Sequence, residues 1–445
     1  MNTRNVLVMW PPHIPSYFNA GHHLGVFLTA AYLRDQPGIE RVDAVDAGAL
    51  NYTWKELGEF FHQGRYDLVA IVNDFDNIDD LPRLLRYIRT LSPGTRTITG
   101  GRLSIQAPEV LRTFEVDAVV HGGDLEPGVA GYAAWLAQSS AADPAPAGVS
   151  IRTGHGWSRG PRGVALPAAE WRLPDPADIP YEAYDRMYHR DQNKFCGIPE
   201  RRELVVPAAR GCPVNCSFCD VPSVQGLRDR RLTVERTVSY IEECFARHPF
   251  EYVSFYAPTF TFDRKWTLEL CERLVARGAR LPWKCATTIA HLDDDLLAAM
   301  AAAGCIRVSV GVETLEAGGL PALPLRKQTE LNRFRDLAAS CARHGVELNC
   351  FVIAGLPGTT VDGTARTVEE IRKVGARVRP TVYSSLDRLR QAPDVAALSA
   401  FNRQLMHPDD VADPETADAF HAFLFGPESW STRVMERIPA RGARP

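Results

Sequence analysis

Arg210-Gly211-Cys212-Pro213-Val214-Asn215-Cys216-Ser217-Phe218-Cys219 sets three cysteines in a C-x3-C-x2-C spacing. Gly211 and Pro213 favour a loop over a helix. Three thiolates in so short a stretch converge when the backbone wraps a metal centre, and thiolates are the preferred ligands of iron–sulfur clusters. Three protein ligands leave one iron of a cubane open to another group. A structural zinc site is the competing reading. Zinc ordinarily takes a fourth Cys or His at short spacing, whereas here only Asp220 follows.

Working outward, the loop sits just after the first strand of a βα series. Strands are expected at Leu204–Ala208, Tyr252–Tyr256, Trp283–Thr288, Arg307–Val312, Glu347–Ile353 and Thr381–Ser385. Amphipathic helix patterns fill the gaps at Val234–Arg247, Lys265–Arg277, Asp293–Ala303, Thr329–His344 and Gly363–Val374. Six successive βα units predict a partial barrel, whose active site lies at the carboxyl ends of the strands. The cysteine loop is on that face.

The N-terminal stretch has the same rhythm. Strands are expected at Val6–Met9, Arg41–Val45, Leu68–Val72, Thr95–Thr99 and Ala118–Val120, with helices between them and a last helix to Gln138. This predicts an α/β, doubly wound, Rossmann-like domain over residues 1–140, with its ligand beyond the carboxyl ends of the strands. Those ends are Pro11-Pro12, Asn73-Asp74, Gly100-Gly101 and Gly122-Gly123. Residues 141–200, with Ala/Ser/Pro-rich 139–148 at their start, read as a linker and extended connector. The barrel takes 201–386, and 387–445 reads as a short helical C-terminal region.

The cysteine motif, with Phe218 before its last cysteine, resembles the signature of the radical S-adenosylmethionine (SAM) superfamily. The resemblance covers roughly 200–385. It implies a [4Fe–4S] cluster on Cys212, Cys216 and Cys219 as metal ligands, with the open iron chelating SAM. Leu297–Glu313 is similar to a stretch common in the cobalamin-binding (B12-dependent) branch, and there Glu313 is expected on the SAM ribose. Val352–Gly358 is similar to the turn near adenine, which assigns Gly355 and Pro357 to cofactor binding. The family usually has Glu where this chain has Thr359. Many relatives carry acidic residues where this chain has Tyr256-Ala257-Pro258-Thr259-Phe260.

The N-terminal domain resembles the cobalamin-binding domain of that branch. The resemblance assigns Gly100, Gly101, Gly122, Gly123 and Asp124 to the corrin, with Asn73 or Asp74 on its lower side and His22 and His23 as further contacts. The same residues have a plainer reading, Asp74 and the two histidines as helix caps. No D-x-H-x-x-G motif is present. The resemblance further implies a C-methyltransferase that moves a methyl group from SAM through methylcobalamin to a small natural-product, amino-acid or indole-type substrate, with a flavodoxin- or ferredoxin-type electron donor. Tyr256 is the catalytic candidate, with Trp283 and Tyr383 expected along the substrate space. Ring rearrangement or cyclisation without methyl transfer, or an N-terminal domain that no longer binds cobalamin, are the alternatives.

Composition agrees with such an enzyme. Of 445 residues, 45% are hydrophobic and 23% charged, enough for substantial cores, and the formal charge of −4 argues against a nucleic-acid or anionic-membrane partner. The N-terminus lacks a signal-peptide pattern, so a cytoplasmic enzyme is expected. Cys196, Cys244, Cys271, Cys285, Cys305, Cys341 and Cys350 are scattered and read as small buried hydrophobes.

Overall fold

The structure, a computed structural model, describes residues 5–12, 22–138, 144–190, 202–278, 281–383 and 385–403, with the isolated positions 419 and 422. Most of the expected helical C-terminal region and Cys196 lie outside the described residues. The chain divides into two units. One comprises Met1–Met187, Asp220–Arg230 and Leu386–Arg403; the other comprises Tyr188–Cys219, Arg231–Ser385 and Gln404–Pro445.

In the first unit, β1 (Asn5–Trp10), β2 (Arg41–Asp46), β3 (Leu68–Asn73), β4 (Arg96–Gly101) and β5 (Ala118–Val120) run parallel in the order β2-β1-β3-β4-β5. β3 is buried along its whole length, as a strand covered by helices on both faces must be. The helices Leu24–Arg34, Trp54–Gly64, Leu81–Leu91 and Leu125–Gln138 supply that cover. The second of them starts at a capping box in which Thr53 and Glu56 satisfy each other's backbone N–H groups. Leu7, Met9, Val69 and Ile71 of the sheet pack with Leu57, Phe61, Leu84 and Ile88 of the helices. The strand order reverses between β1 and β3, where a doubly wound sheet takes its ligand.

The sheet is larger than the sequence led us to expect. The stretch read as a connector contributes β6 (Val149–Thr153) and β7 (Gly156–Arg159), both antiparallel, and a helix at Tyr181–Arg190. The two strands are short and polar at the sheet's margin, with Arg152 and Arg159 exposed, which hides their periodicity. The helices Leu386–Arg390 and Val395–Arg403 also belong to this unit, and Leu389 and Leu398 join its core.

In the second unit, β8 (Glu203–Pro207) is followed by the short β9 (Ala209–Arg210); β10 (Arg230–Arg231) starts on the last residue of a first-unit segment. Then come β11 (Tyr252–Tyr256), β12 (Trp283–Thr287), β13 (Cys305–Glu313), β14 (Glu347–Ala354) and β15 (Arg377–Val382). β8 and β11 to β15 form one six-stranded parallel sheet in chain order, the arrangement of a partial (β/α)6 barrel. β15 begins ahead of the expected Thr381. Its first half carries Arg377, paired with Glu347, and Arg379, buried with its guanidinium over the Phe351 ring, and these charges mask the strand in the sequence. Cys244, Cys271, Cys285, Cys305, Cys341 and Cys350 are buried free thiols. No helix of the described residues is long and apolar enough to cross a membrane.

Candidate active site

β8 delivers the cysteine loop. Ala208 N donates to Tyr256 O at 3.0 Å, fixing the base of the loop to the end of β11. Gly211 (φ 84°) and Asn215 (φ 54°) adopt left-handed backbone, which turns the chain back on itself at the two residues best suited to it. Cys219 N donates to Cys216 O at 3.1 Å and closes the turn. Cys216 is buried, while Cys212 and Cys219 are half-buried. The Cys216 thiol is pushed up to about 11, chiefly by burial, with Lys327 opposing the rise and Cys219, Glu313 and Cys212 adding to it. Metal coordination is what deprotonates a thiol in such a place.

Beyond β11, Arg231 donates to Thr259 O (2.8 Å) and Phe260 O (2.7 Å), holding the segment that follows the strand. The buried Thr259 hydroxyl lies 3.6 Å from Cys212 Sγ. Tyr256 ends β11 and is 52% exposed. Trp283 does not line a substrate space. It is fully buried at the amino end of β12, and its indole N–H donates to Ala303 O at 2.9 Å.

Glu313 closes β13 in an unusual backbone conformation (φ 61°), at a register irregularity against β14 between Gly311 and Glu313. A left-handed, buried glutamate at a strand end is uncommon and marks functional sites more often than others. Its carboxylate accepts from Lys327 Nζ at 2.7 Å, and both side chains are buried. Burial alone would lower the Lys327 pKa, but Glu313 and the sulfurs of Cys216 and Cys219 hold it above the usual lysine range. A side chain at Gly311 would stand 2.1 Å from Glu313 Oε1 and 2.3 Å from Lys327 Nζ, so the glycine leaves room for the pair. Phe218 packs with Leu323, Ile353, Leu356 and the half-buried Tyr383. The turn carrying Gly355 and Pro357 therefore shares a cluster with the cysteine loop, although Pro357 itself is exposed. Thr359 Oγ1 donates to Leu356 O at 2.7 Å.

The candidate residues of the first unit divide differently. Asn73 is buried, donating to Thr99 Oγ1 (2.8 Å) and accepting from Ser104 N (3.0 Å). Asp74 accepts from Phe75 N and faces Arg102 at 3.5 Å. A Cβ on Gly100 would meet Leu125 at 2.2 Å, and one on Gly101 (φ 142°) would meet Asn73 O at 2.2 Å. One on Gly123 would meet the Val164 backbone at 2.6 Å. Asp124 accepts from Leu166 N (2.8 Å) and pairs with Arg230 (2.6 Å). These groups tie strand ends to neighbouring protein. Gly122 differs: nothing lies within 4 Å of where its Cβ would be. His23 is buried, its Nδ1 2.6 Å from Asp46 Oδ2 and its ring stacked on Trp10. His22 stacks on Tyr184, ring centroids 4.3 Å apart.

Residues 206–371, the stretch that carries the cysteine loop, Glu313 and the Gly355 turn, match the family model of the Radical SAM superfamily. The chain carries a radical SAM domain. It is 26% identical over 386 residues to the anaerobic magnesium-protoporphyrin IX monomethyl ester cyclase of Rubrivivax gelatinosus, covering 83% of this chain and 63% of that protein. The chain thus spans less than two thirds of the cyclase's length. It is 22% identical over 357 residues to the cytidylyl-2-hydroxyethylphosphonate methyltransferase of Streptomyces wedmorensis, covering 74% of this chain and 65% of that protein. Among solved structures, the radical SAM methyltransferase TsrM from Kitasatospora setae, with tryptophan and a SAM analogue bound, has a TM-score of 0.68. It shares 18% identity, covering 85% of this chain and 73% of that one. The cobalamin-dependent radical enzyme OxsB has a TM-score of 0.68 and 15% identity, covering 90% of this chain and 56% of that one.

A radical SAM domain implies a [4Fe–4S] cluster and SAM. The residues present fit the cluster: three thiols of one loop, a buried middle sulfur and a lysine charge acting on two of them. Cys212, Cys216 and Cys219 would hold it. Among the described residues no three His, Cys, Asp or Glu groups stand where they could hold one metal ion. That is a tighter arrangement than a cubane needs, since each of its irons takes its own sulfur. Lys327 and Arg231 escaped the sequence reading because neither lies in a recognisable motif, and Thr259 was noticed only as part of a departure from the family pattern. The only signal available was Gly311, two residues before Glu313 in an otherwise β-rich run.

Proposed function

We propose that this chain is a cobalamin-dependent radical SAM C-methyltransferase acting on a small molecule, drawing electrons from a flavodoxin- or ferredoxin-type donor. The observation that carries the reading is the pairing, on one chain, of a doubly wound 2-1-3-4-5 sheet with a radical SAM cysteine loop. TsrM, solved with cobalamin and a [4Fe–4S] cluster bound, and OxsB, solved with aqua-cobalamin bound, have that fold. Methyltransferases also recur among the relatives, including the bacteriochlorophyllide d C-12(1)-methyltransferase of Chlorobaculum tepidum.

When bound, the cluster and SAM supply one-electron chemistry and the corrin supplies methyl carriage. The protein's share is placement. Cys212, Cys216 and Cys219 hold the cluster and leave an iron to SAM. Glu313, paired with Lys327, offers a side-chain oxygen to the ribose hydroxyls. The Gly355 turn lets backbone approach the adenine, and Phe218 packed beside it keeps water from the sulfurs. The exposed phenol of Tyr256 orients substrate at the barrel mouth. In the first unit, cobalamin would rest on the carboxyl edge of the parallel strands, where Gly122 leaves space. Asn73, Gly101 and Asp124 shape that edge by their internal bonds. His23 is engaged with Asp46, so no lower histidine ligand is assigned.

The cyclase relative, aligned over 83% of this chain, favours one second reading: ring formation without methyl transfer. Anaerobic turnover with methyl-labelled SAM and candidate small molecules separates the two. Label in the product is expected; a cyclised or rearranged product without label supports the second reading and contradicts the first.

A further inference from the structure

We infer that Lys327 is a positioning residue that tunes the iron–sulfur cluster: its buried ammonium, anchored on Glu313 in space left by Gly311, favours the reduced state. This rests on the reading that Cys212, Cys216 and Cys219 hold a cluster.

Three features of the barrel unit support it. Lys327 is reached through a loop, not a strand, yet its side chain is only 13% exposed, against a long, charged residue's strong preference for water. Its partner is a single carboxylate at 2.7 Å, and the backbone of that partner sits in an unfavourable left-handed conformation. Finally, Gly311 removes the Cβ that would collide with both ends of the pair. A chain that strains a glutamate and empties a neighbouring position to bury one ammonium holds that charge at a fixed place. Leu323, four residues before Lys327, belongs to the buried cluster on which Phe218 of the cysteine loop packs, so the charge lies on the side of the Cys216 and Cys219 sulfurs. In a poorly screened interior a nearby cation stabilises the more negative state of a cluster and raises its reduction potential.

A plain structural staple would have the same geometry, and the sign of the response tells them apart. Breaking a staple from either end does the same thing. Breaking an electrostatic device does not: Lys327→Met leaves an unmatched carboxylate, and Glu313→Gln leaves an unmatched ammonium.

The test is an EPR-monitored redox titration of the anaerobically reconstituted full chain without SAM, with iron and sulfide measured on each sample. Wild type, Lys327→Met, Lys327→Arg and Glu313→Gln are compared. The expected result is a midpoint moved negative in Lys327→Met, moved positive in Glu313→Gln and close to wild type in Lys327→Arg. Midpoints that stay put, or shift in the same direction in Lys327→Met and Glu313→Gln with full iron content, overturn the inference. A wild-type chain that takes up no cluster overturns the underlying assignment itself. Should Lys327→Met fail to retain a cluster, the inference is decided by Glu313→Gln, where an unshifted or negative midpoint overturns it.

Discussion

Glu313 Oε1 and Lys327 Nζ are 2.7 Å apart in a buried ion pair at a point where β13 breaks register with β14. A broken buried pair leaves an uncompensated charge, which costs far more than losing a surface pair. Gly311→Ala tests this without touching either charge. Its new methyl group would displace both ends of the pair. We expect a stability loss of about 1–3 kcal/mol, as for other overpacked sites, read by anaerobic denaturant unfolding. An unchanged midpoint would show that the pair tolerates displacement.

Cys216 is the most buried of the three candidate ligands. Cys216→Ala should reduce iron and sulfide to near background and abolish the cluster's visible absorbance, while the far-ultraviolet circular dichroism stays close to wild type. Retained iron in that variant would remove Cys216 from the ligand set.

His23 and Asp46 form a buried pair in the first unit, with side-chain exposures of 5% and 0%. Ala49 N and the Tyr184 hydroxyl also donate to Asp46, and together with His23 they hold its pKa low against the opposing effect of burial. His23→Ala should destabilise the protein by about 3–5 kcal/mol, the cost of leaving a buried charge unpaired. Corrin binding, followed by absorbance, should survive in the folded variant. Loss of corrin at full stability would instead make His23 a cofactor contact.

His121, beside Ser150 at 3.0 Å, has its pKa lowered to about 4 by burial and by Arg159 and Arg112. A histidine whose folded pKa lies below its unfolded value stays neutral in the fold. It contributes its full stability above about pH 6.5 and loses it as pH falls toward 4. Thermal unfolding scanned over that range should show a falling Tm, and His121→Gln should flatten the decline. An equal slope in both proteins would contradict this account.

Much of the architecture was legible because parallel strands buried on both faces leave dense apolar runs, as at Leu68–Val72 and Tyr252–Tyr256. What was missed lay where polar residues interrupt the pattern. Arg377 and Arg379 hid the start of β15, and the short, polar β6 and β7 passed for connector. At the site, sequence spacing exposed the three cysteines because their chemistry is local. Lys327 was invisible for the opposite reason: its meaning depends on a loop returning to the end of β13. In the first unit, Asn73, Gly101 and Asp124 were noticed as strand-end residues, but spacing alone does not say whether such residues face a ligand or one another.

The most direct test of the central claim is the metal content and EPR spectrum of the full-length protein purified without oxygen. The account predicts about four irons and four sulfides per chain, from the composition of a [4Fe–4S] cluster, and a reduced-cluster signal that changes on adding SAM. A chain that carries zinc, or no metal, at the Cys212–Cys219 loop would contradict it.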